Sequence, residues 1–213
     1  MQLIILHFVE TIIAGGTVAE PAFYKPLVLA DDFIICADSG YIHAEAMGLK
    51  PNLVIGDFDS SSQVGVPHDV PRIVLPVEKD QTDLHAAICY AIKQGATEIL
   101  LFGARGTRLD HSLAAVSLVY MGLMQHVTIR IIDEHNELFM FCGSAEIQKR
   151  PGCKLSLMPL TPVTGIRTEG LYYSVDGADM DWGNPYGVSN EFAADTARVT
   201  IESGVMMVII SRD

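Results

Sequence analysis

Over roughly the first 130 residues, short apolar runs alternate with helical periods; after about residue 133 the helical periods stop. The runs at 11–14, 33–37, 53–55, 73–75, 99–102 and 127–132 are rich in β-branched and aliphatic residues. Runs this apolar suit a parallel sheet covered on both faces. After Asp80, residues Leu84, Ala87, Ile88, Ala91 and Ile92 repeat at helical spacing, with Gly95 as a stop. A second helical period covers 110–123, with Leu113, Val116, Tyr120 and Leu123 on one stripe. Strand–helix alternation of this kind predicts an α/β domain. Beyond it, runs at 138–142, 154–158, 171–175, 198–201 and 205–211 are punctuated by Gly, Pro, Asn and Asp. They predict an all-β domain, a sandwich or partial barrel, with the boundary near 132–136.

Four aspartate signatures fall where an apolar run ends or a helical period begins. They are Ala37-Asp38-Ser39-Gly40, Gly56-Asp57-Phe58-Asp59-Ser60, Asp80-Gln81-Thr82-Asp83 and Arg108-Leu109-Asp110-His111. Clustered carboxylates raise one another's pKa unless a cation joins them. Mg²⁺ takes a few carboxylates together with substrate phosphates, so the pattern points to Mg²⁺-assisted chemistry on a phosphorylated substrate. Asp57 and Asp59 stand two apart, on one side of an extended segment. The same residues also suit a turn, and the DxD spacing matches the nucleophile motif of haloacid-dehalogenase-type phosphatases. Asp80 and Thr82 suit the cap of the following helix, while Asp83 falls in its first turn, where it caps or faces a metal.

Gly103-Ala104-Arg105-Gly106-Thr107-Arg108 follows the run at 99–102 and precedes a helix. Glycines let backbone approach phosphate oxygens, and Arg105 and Arg108 add charge-assisted donors. His111 starts the helix or touches substrate. Ala14-Gly15-Gly16 is a weaker turn of the same type. No lysine follows a glycine, so there is no Walker A motif, and a full GxGxxG is also absent. His43 and His85 have no metal-ligand spacing to another His or Cys.

The 213 residues are 49% apolar and 19% charged, with a net charge of −12. That balance opposes a nucleic-acid footprint. Cys36, Cys89, Cys142 and Cys153 form no CxxC pair and read as buried free thiols, which fits a reducing cytoplasm. The segment 112–129 has no formal charge, but its polar residues make it a buried helix followed by a strand rather than a membrane span. Residues 1–9 are apolar but lack the basic region of a secretory signal.

In their order, these motifs resemble the thiamine pyrophosphokinase family, together with Gly170-Leu171-Tyr172-Tyr173 and Gly187-Val188-Ser189-Asn190-Glu191. The resemblance spans nearly the whole chain. It implies a Rossmann-like α/β domain at 1–132 for nucleotide and Mg²⁺. It also implies a C-terminal β-sandwich at 133–213 for thiamine binding and dimerisation, and a homodimer with shared active sites. It implies that Asp38, Asp57, Asp59 and Asp83 gather Mg²⁺ and the triphosphate of ATP, with Ser39, Asp80, Thr82, Arg105 and His111 beside them. Arg108 and Asp110 lie near the nucleotide and the reacting groups. Ser189 and Asn190 contact the thiamine pyrimidine, and Tyr173 is the aromatic packed nearby. At Ala115 the chain departs from the family, where Asn is common. Two alternatives remain from the residues: a Mg²⁺-dependent phosphatase with Asp57 as nucleophile, and a non-catalytic binding module.

Overall fold

Six of the apolar runs form one set of parallel strands. The computed structural model describes residues 9–58, 66–76, 78, 80–184 and 186–213. Its strands β1 (Val9–Ile13), β2 (Phe33–Ala37), β3 (Leu53–Gly56), β4 (Arg72–Val74), β5 (Glu98–Phe102) and β6 (Thr128–Ile132) lie in the order β4-β3-β2-β1-β5-β6. Every neighbouring pair among them is parallel. Ile12, Ile13, Ile35, Cys36, Ile99 and Leu101 are fully buried, as strands covered on both faces require. The order reverses at β1. The chain steps outward through β2, β3 and β4, then returns to the other side of β1 as β5. Open α/β sheets place their ligand crevice at such a reversal, outside the carboxyl ends of the strands.

The segments that follow β1 and β5 are joined by backbone hydrogen bonds beyond the strands themselves. The amides of Ala14, Gly16 and Thr17 donate to the carbonyls of Phe102, Gly103 and Arg105, at 2.8, 2.7 and 2.6 Å. A Cβ on Gly16 would sit 2.2 Å from the Arg105 oxygen, and one on Gly103 would sit 2.3 Å from the Ala14 oxygen. Glycine is required at both positions because backbone meets backbone there.

Helices α1 (Pro21–Tyr24), α2 (Gly40–Ala46), α3 (Asp83–Gln94) and α4 (Leu109–Met124) connect the strands. In α3 the Thr82 hydroxyl accepts from the His85 amide at 3.2 Å, and Gly95 ends the helix at φ +98°. The period at 110–123 is α4, but the stripe through Leu113 is not its buried face. Leu113 is 60% exposed, and the helix buries Ala115, Leu118, Val119 and Gly122. Small residues decide the face. A Cβ on Gly122 would come within 2.5 Å of Ile129 Cδ1 in β6, so only that side lies close against the strand. Among the described residues no helix is long and apolar enough to cross a membrane.

The chain divides between Glu134 and His135 into two compact units. The second contains β7 (Asn136–Phe141), β8 (Ser144–Gln148), β9 (Lys154–Pro159), β10 (Val163–Glu169), β11 (Asp176–Met180), β12 (Thr196–Thr200) and β13 (Met206–Ser211). All are antiparallel, in the orders β7-β13-β9 and β11-β10-β12-β8. One core draws Phe139, Leu157 and Val208 from the first set and Ile147, Ile166 and Val199 from the second. The run at 171–175 is not a strand; Leu171 makes only an isolated bridge to Phe192. Strands β8, β10 and β11 were not anticipated. β8 and β11 are edges with little buried surface, and β10 is interrupted by Gly165 at φ +63°. The cysteines are free, but only Cys36 is buried, and Cys142 is exposed beside the turn at Gly143.

Glu10 in β1 is fully buried, and neither carboxylate oxygen has a hydrogen-bond partner among the described residues. Burial pushes its pKa up to about 7. The protonated form is thus favoured by folding. Its contribution is fully present below the unfolded pKa near 4.5 and is lost as pH rises through about 7. Glu10→Gln should therefore unfold at higher denaturant than the parent at pH 8, by on the order of 1–3 kcal/mol, with the difference shrinking toward pH 5. Equal stability of the two proteins at pH 8 would contradict this.

Candidate active site

A cavity of ≈ 510 Å³ opens at the carboxyl edge of the parallel strands. Residues 14–17 after β1, 37–39 after β2, 82–84 at the start of α3 and 103–108 after β5 line it, along with His111, Ala114, Ala115 and Leu118 of α4. Of the anticipated site residues it thus brings together Asp38, Ser39, Thr82, Asp83, Arg105, Arg108 and His111. Asp80 instead borders a smaller depression with Leu75, Pro76, Gln81 and Ala86. The Thr82 hydroxyl is occupied in capping α3. The amides of Gly16 and Thr17 are likewise committed to the β5 segment, so they are not phosphate donors.

Asp38 and Asp57 follow the adjacent strands β2 and β3. Asp38 follows β2 in the left-handed region, φ +49°, and its amide donates to the Ile55 carbonyl of β3 at 2.8 Å. A Cβ on Gly56 would lie 3.2 Å from the Asp38 Cα. Asp38 therefore sits against the segment that leads into Asp57. A non-glycine residue in this region is uncommon, and Asp is among those that tolerate it. Asp83 opens α3, where its charge also favours the helix N-terminus. Among the described residues no three acidic, His or Cys side chains gather as a closed metal site. Asp59, with the rest of 59–65, lies outside the described residues. The donor set of Asp38, Asp57 and Asp83 is nonetheless all hard oxygen, which fits a cation that keeps several water ligands.

The two arginines are held differently. Arg108 and Asp110 are both largely exposed, and the guanidinium donates to both carboxylate oxygens, Nε at 3.1 Å and Nη2 at 2.6 Å. Arg108 thereby pulls the pKa of Asp110 down to about 2. Asp110 does not line the cavity, whereas Arg108 does. Arg105 lies 2.7 Å, Nε to Oδ2, from Asp133 just beyond β6. Sequence reading gave Asp133 no role, because the pair is 28 positions apart and depends on β5 and β6 being neighbours. His43 was also missed. Its Nε2 donates to the Gly16 carbonyl at 2.8 Å, fixing the turn after β1 from α2.

In the second unit, Asn190 is buried and its amide clasps the chain at Tyr173. Its Oδ1 accepts from the Tyr173 amide at 3.0 Å and the Glu191 amide at 2.8 Å, and its Nδ2 donates to the Tyr173 carbonyl at 2.8 Å. Three of its four hydrogen-bonding places are thus spent on the backbone. Tyr173 is exposed, edge-on to Tyr172 with ring centroids 4.9 Å apart. Ser189 is held at φ +62°, with its amide donating to the Ser156 hydroxyl at 3.0 Å. Strain at an exposed polar turn is a common mark of a binding position.

The chain matches the family model "Thiamin pyrophosphokinase, catalytic domain" over residues 24–131, and "Thiamin pyrophosphokinase, vitamin B1 binding domain" over 144–206. It is 29% identical to thiamine pyrophosphokinase of Bacillus subtilis over 186 residues, covering 84% of this chain and 87% of the relative. It is 26% identical to thiamine pyrophosphokinase 1 of Oryza sativa subsp. japonica, covering 78% of this chain and 69% of that one. A crystal structure of the Bacillus subtilis protein superposes with a TM-score of 0.89 at 26% identity, covering 96% of this chain and 99% of the other. These matches give the phosphatase alternative no support. With both family domains present in order on one fold, the chain belongs to the thiamin pyrophosphokinase family.

Proposed function

We propose that the cavity between β1 and β5 is where this chain performs its family's reaction. That reaction transfers the pyrophosphoryl group of ATP to the hydroxyl of thiamine, giving thiamine diphosphate and AMP. The observation that carries the reading is a cavity at the strand-order reversal, lined by Arg105, Arg108, Asp38 and Asp83, in a chain that also carries the vitamin B1 binding domain. Ligands of open α/β sheets collect at such reversals. In this reading residues 1–132 are a Rossmann-like domain for nucleotide and Mg²⁺. Residues 133–213 are a β-sandwich for thiamine and for dimerisation, and a core shared by its two sets of strands supports that description. Four free thiols are in keeping with a reducing cytoplasm.

The chemistry asks mainly for positioning and charge neutralisation. Asp38, Asp57, Asp59 and Asp83 would hold Mg²⁺, which when bound offsets charge on the triphosphate oxygens. Arg105 and Arg108 donate to phosphate oxygens, and Ser39 and His111 complete the wall. Thiamine's alcohol attacks the β-phosphorus, and its proton needs an acceptor. Asp110, held near 2 by Arg108, is poorly matched to that task at neutral pH and serves instead to orient Arg108. Tyr173 and Ser189 face thiamine, while Asn190 acts through Tyr173. The acidic balance of the chain favours approach of a cationic substrate.

Incubation with ATP, Mg²⁺ and thiamine should yield AMP and thiamine diphosphate in equal amounts. ADP as the main product would place attack at the γ-phosphorus and overturn the assignment.

The working form in this reading is a homodimer with shared active sites. Its support is that the cavity is lined by first-unit residues alone, whereas Tyr173, Ser189 and Asn190 belong to the second. Asp83→Asn and Asn190→Ala should each be nearly inactive. After confirmed subunit exchange, their mixture should regain about a quarter of the parent activity, since half of the dimers are mixed and each has one intact site. No recovery after exchange would mean that each subunit holds its own complete site.

A further inference from the structure

The two segments that border the cavity are gripped by consecutive carboxylates at the end of β6. Asp133 pairs with Arg105 of the β5 segment at 2.7 Å, and the contact is ionic rather than an aligned hydrogen bond. Glu134 holds the segment after β1. Its Oε1 accepts from the Ala19 and Glu20 amides, each at 2.8 Å. Burial pushes the pKa of Glu134 up, but hydrogen bonding to its carboxylate, from the Glu20, Glu134 and Ala19 amides and from Tyr24, together outweighs it and leaves the value lowered. The parallel register places Leu101 of β5 beside Ile131 of β6, so Arg105 and Asp133 leave the sheet at one edge.

The Asp133 side chain is 10% exposed, against 51% for Arg105. Burying a carboxylate there costs desolvation, and ion pairing with Arg105 offsets part of it, so a buried pair is weak evidence for stability. What the pair does fix is direction. With the Nε edge of the planar guanidinium held against Asp133 by charge, the terminal nitrogens carry the N–H donors that remain for other partners. Arg105 lines the cavity, so those donors are available to an anion within it.

We propose that Asp133 is a positioning residue for the nucleotide, orienting Arg105 toward the triphosphate without touching it. The proposal rests on the reading of Arg105 as a phosphate contact.

Steady-state kinetics of Arg105→Ala, Asp133→Asn and the double variant separate the two ideas. Asp133→Asn keeps shape and removes charge. It should raise the KM for ATP about tenfold, while kcat and the KM for thiamine stay within about twofold. Arg105→Ala should raise the KM for ATP at least as much, and the double variant should be no worse than Arg105→Ala alone. An unchanged KM for ATP in Arg105→Ala would remove the phosphate contact and the positioning role together. A raised value in Arg105→Ala with additive effects in the double variant, or with an unaffected Asp133→Asn, would overturn the positioning role alone. Circular dichroism checks folding. Should Asp133→Asn not fold, Asp133→Glu moves the charge by one methylene. It should raise the KM for ATP several-fold and spare that for thiamine; parent values for both would overturn the proposal.

Discussion

Backbone joins backbone just past the ends of β1 and β5, and the rest of the cavity depends on that junction. Three amide-to-carbonyl bonds carry the pairing of the two strands into the segments that follow them. Glycine at 16 and 103 permits it, since any Cβ would meet a carbonyl oxygen. His43 from α2, Asp133 and Glu134 from the end of β6 then tie the same segments down. Arg105 and Arg108 are thereby presented from a firmly held edge. Positioning of this kind is what pyrophosphoryl transfer needs from a protein, because the charge is on the substrate from the start.

The second unit solves a related problem with one side chain. Asn190 spends its amide on the backbone around Tyr173, so an exposed aromatic ring is carried on a fixed stretch of chain although that stretch is not a strand. Aromatic rings bind with little loss of rotamer freedom, and a fixed backbone reduces the cost further. The family resemblance placed Asn190 at the ligand itself. Its burial and its three backbone hydrogen bonds favour a supporting part, one step behind Tyr173.

What was legible in the sequence follows from burial. β1, β2, β3, β5 and β6 are largely buried and show as apolar runs; β4 is an exposed edge, and all six were placed to within a residue or two. β8 and β11 are edges that bury little, and their residues read as loop. The face of α4 was misread because the helix is apolar around most of its surface; the small residues Ala115 and Gly122, rather than the large ones, decide the contact. The turn chemistry of Gly, Asp and Arg falls at segments that line the cavity, 37–39 and 103–108. Contacts set by strand order, such as Arg105 with Asp133 and His43 with Gly16, leave no local signal.

The central claim is that nucleotide binds where the strand order reverses between β1 and β5. Amide hydrogen exchange with and without a non-hydrolysable ATP analogue tests it most directly. The account predicts that exchange slows over 14–18 and 103–112 when the analogue binds, with little change over 171–174 until thiamine is added. Protection that appears elsewhere, with 14–18 and 103–112 exchanging as in the free protein, would contradict it.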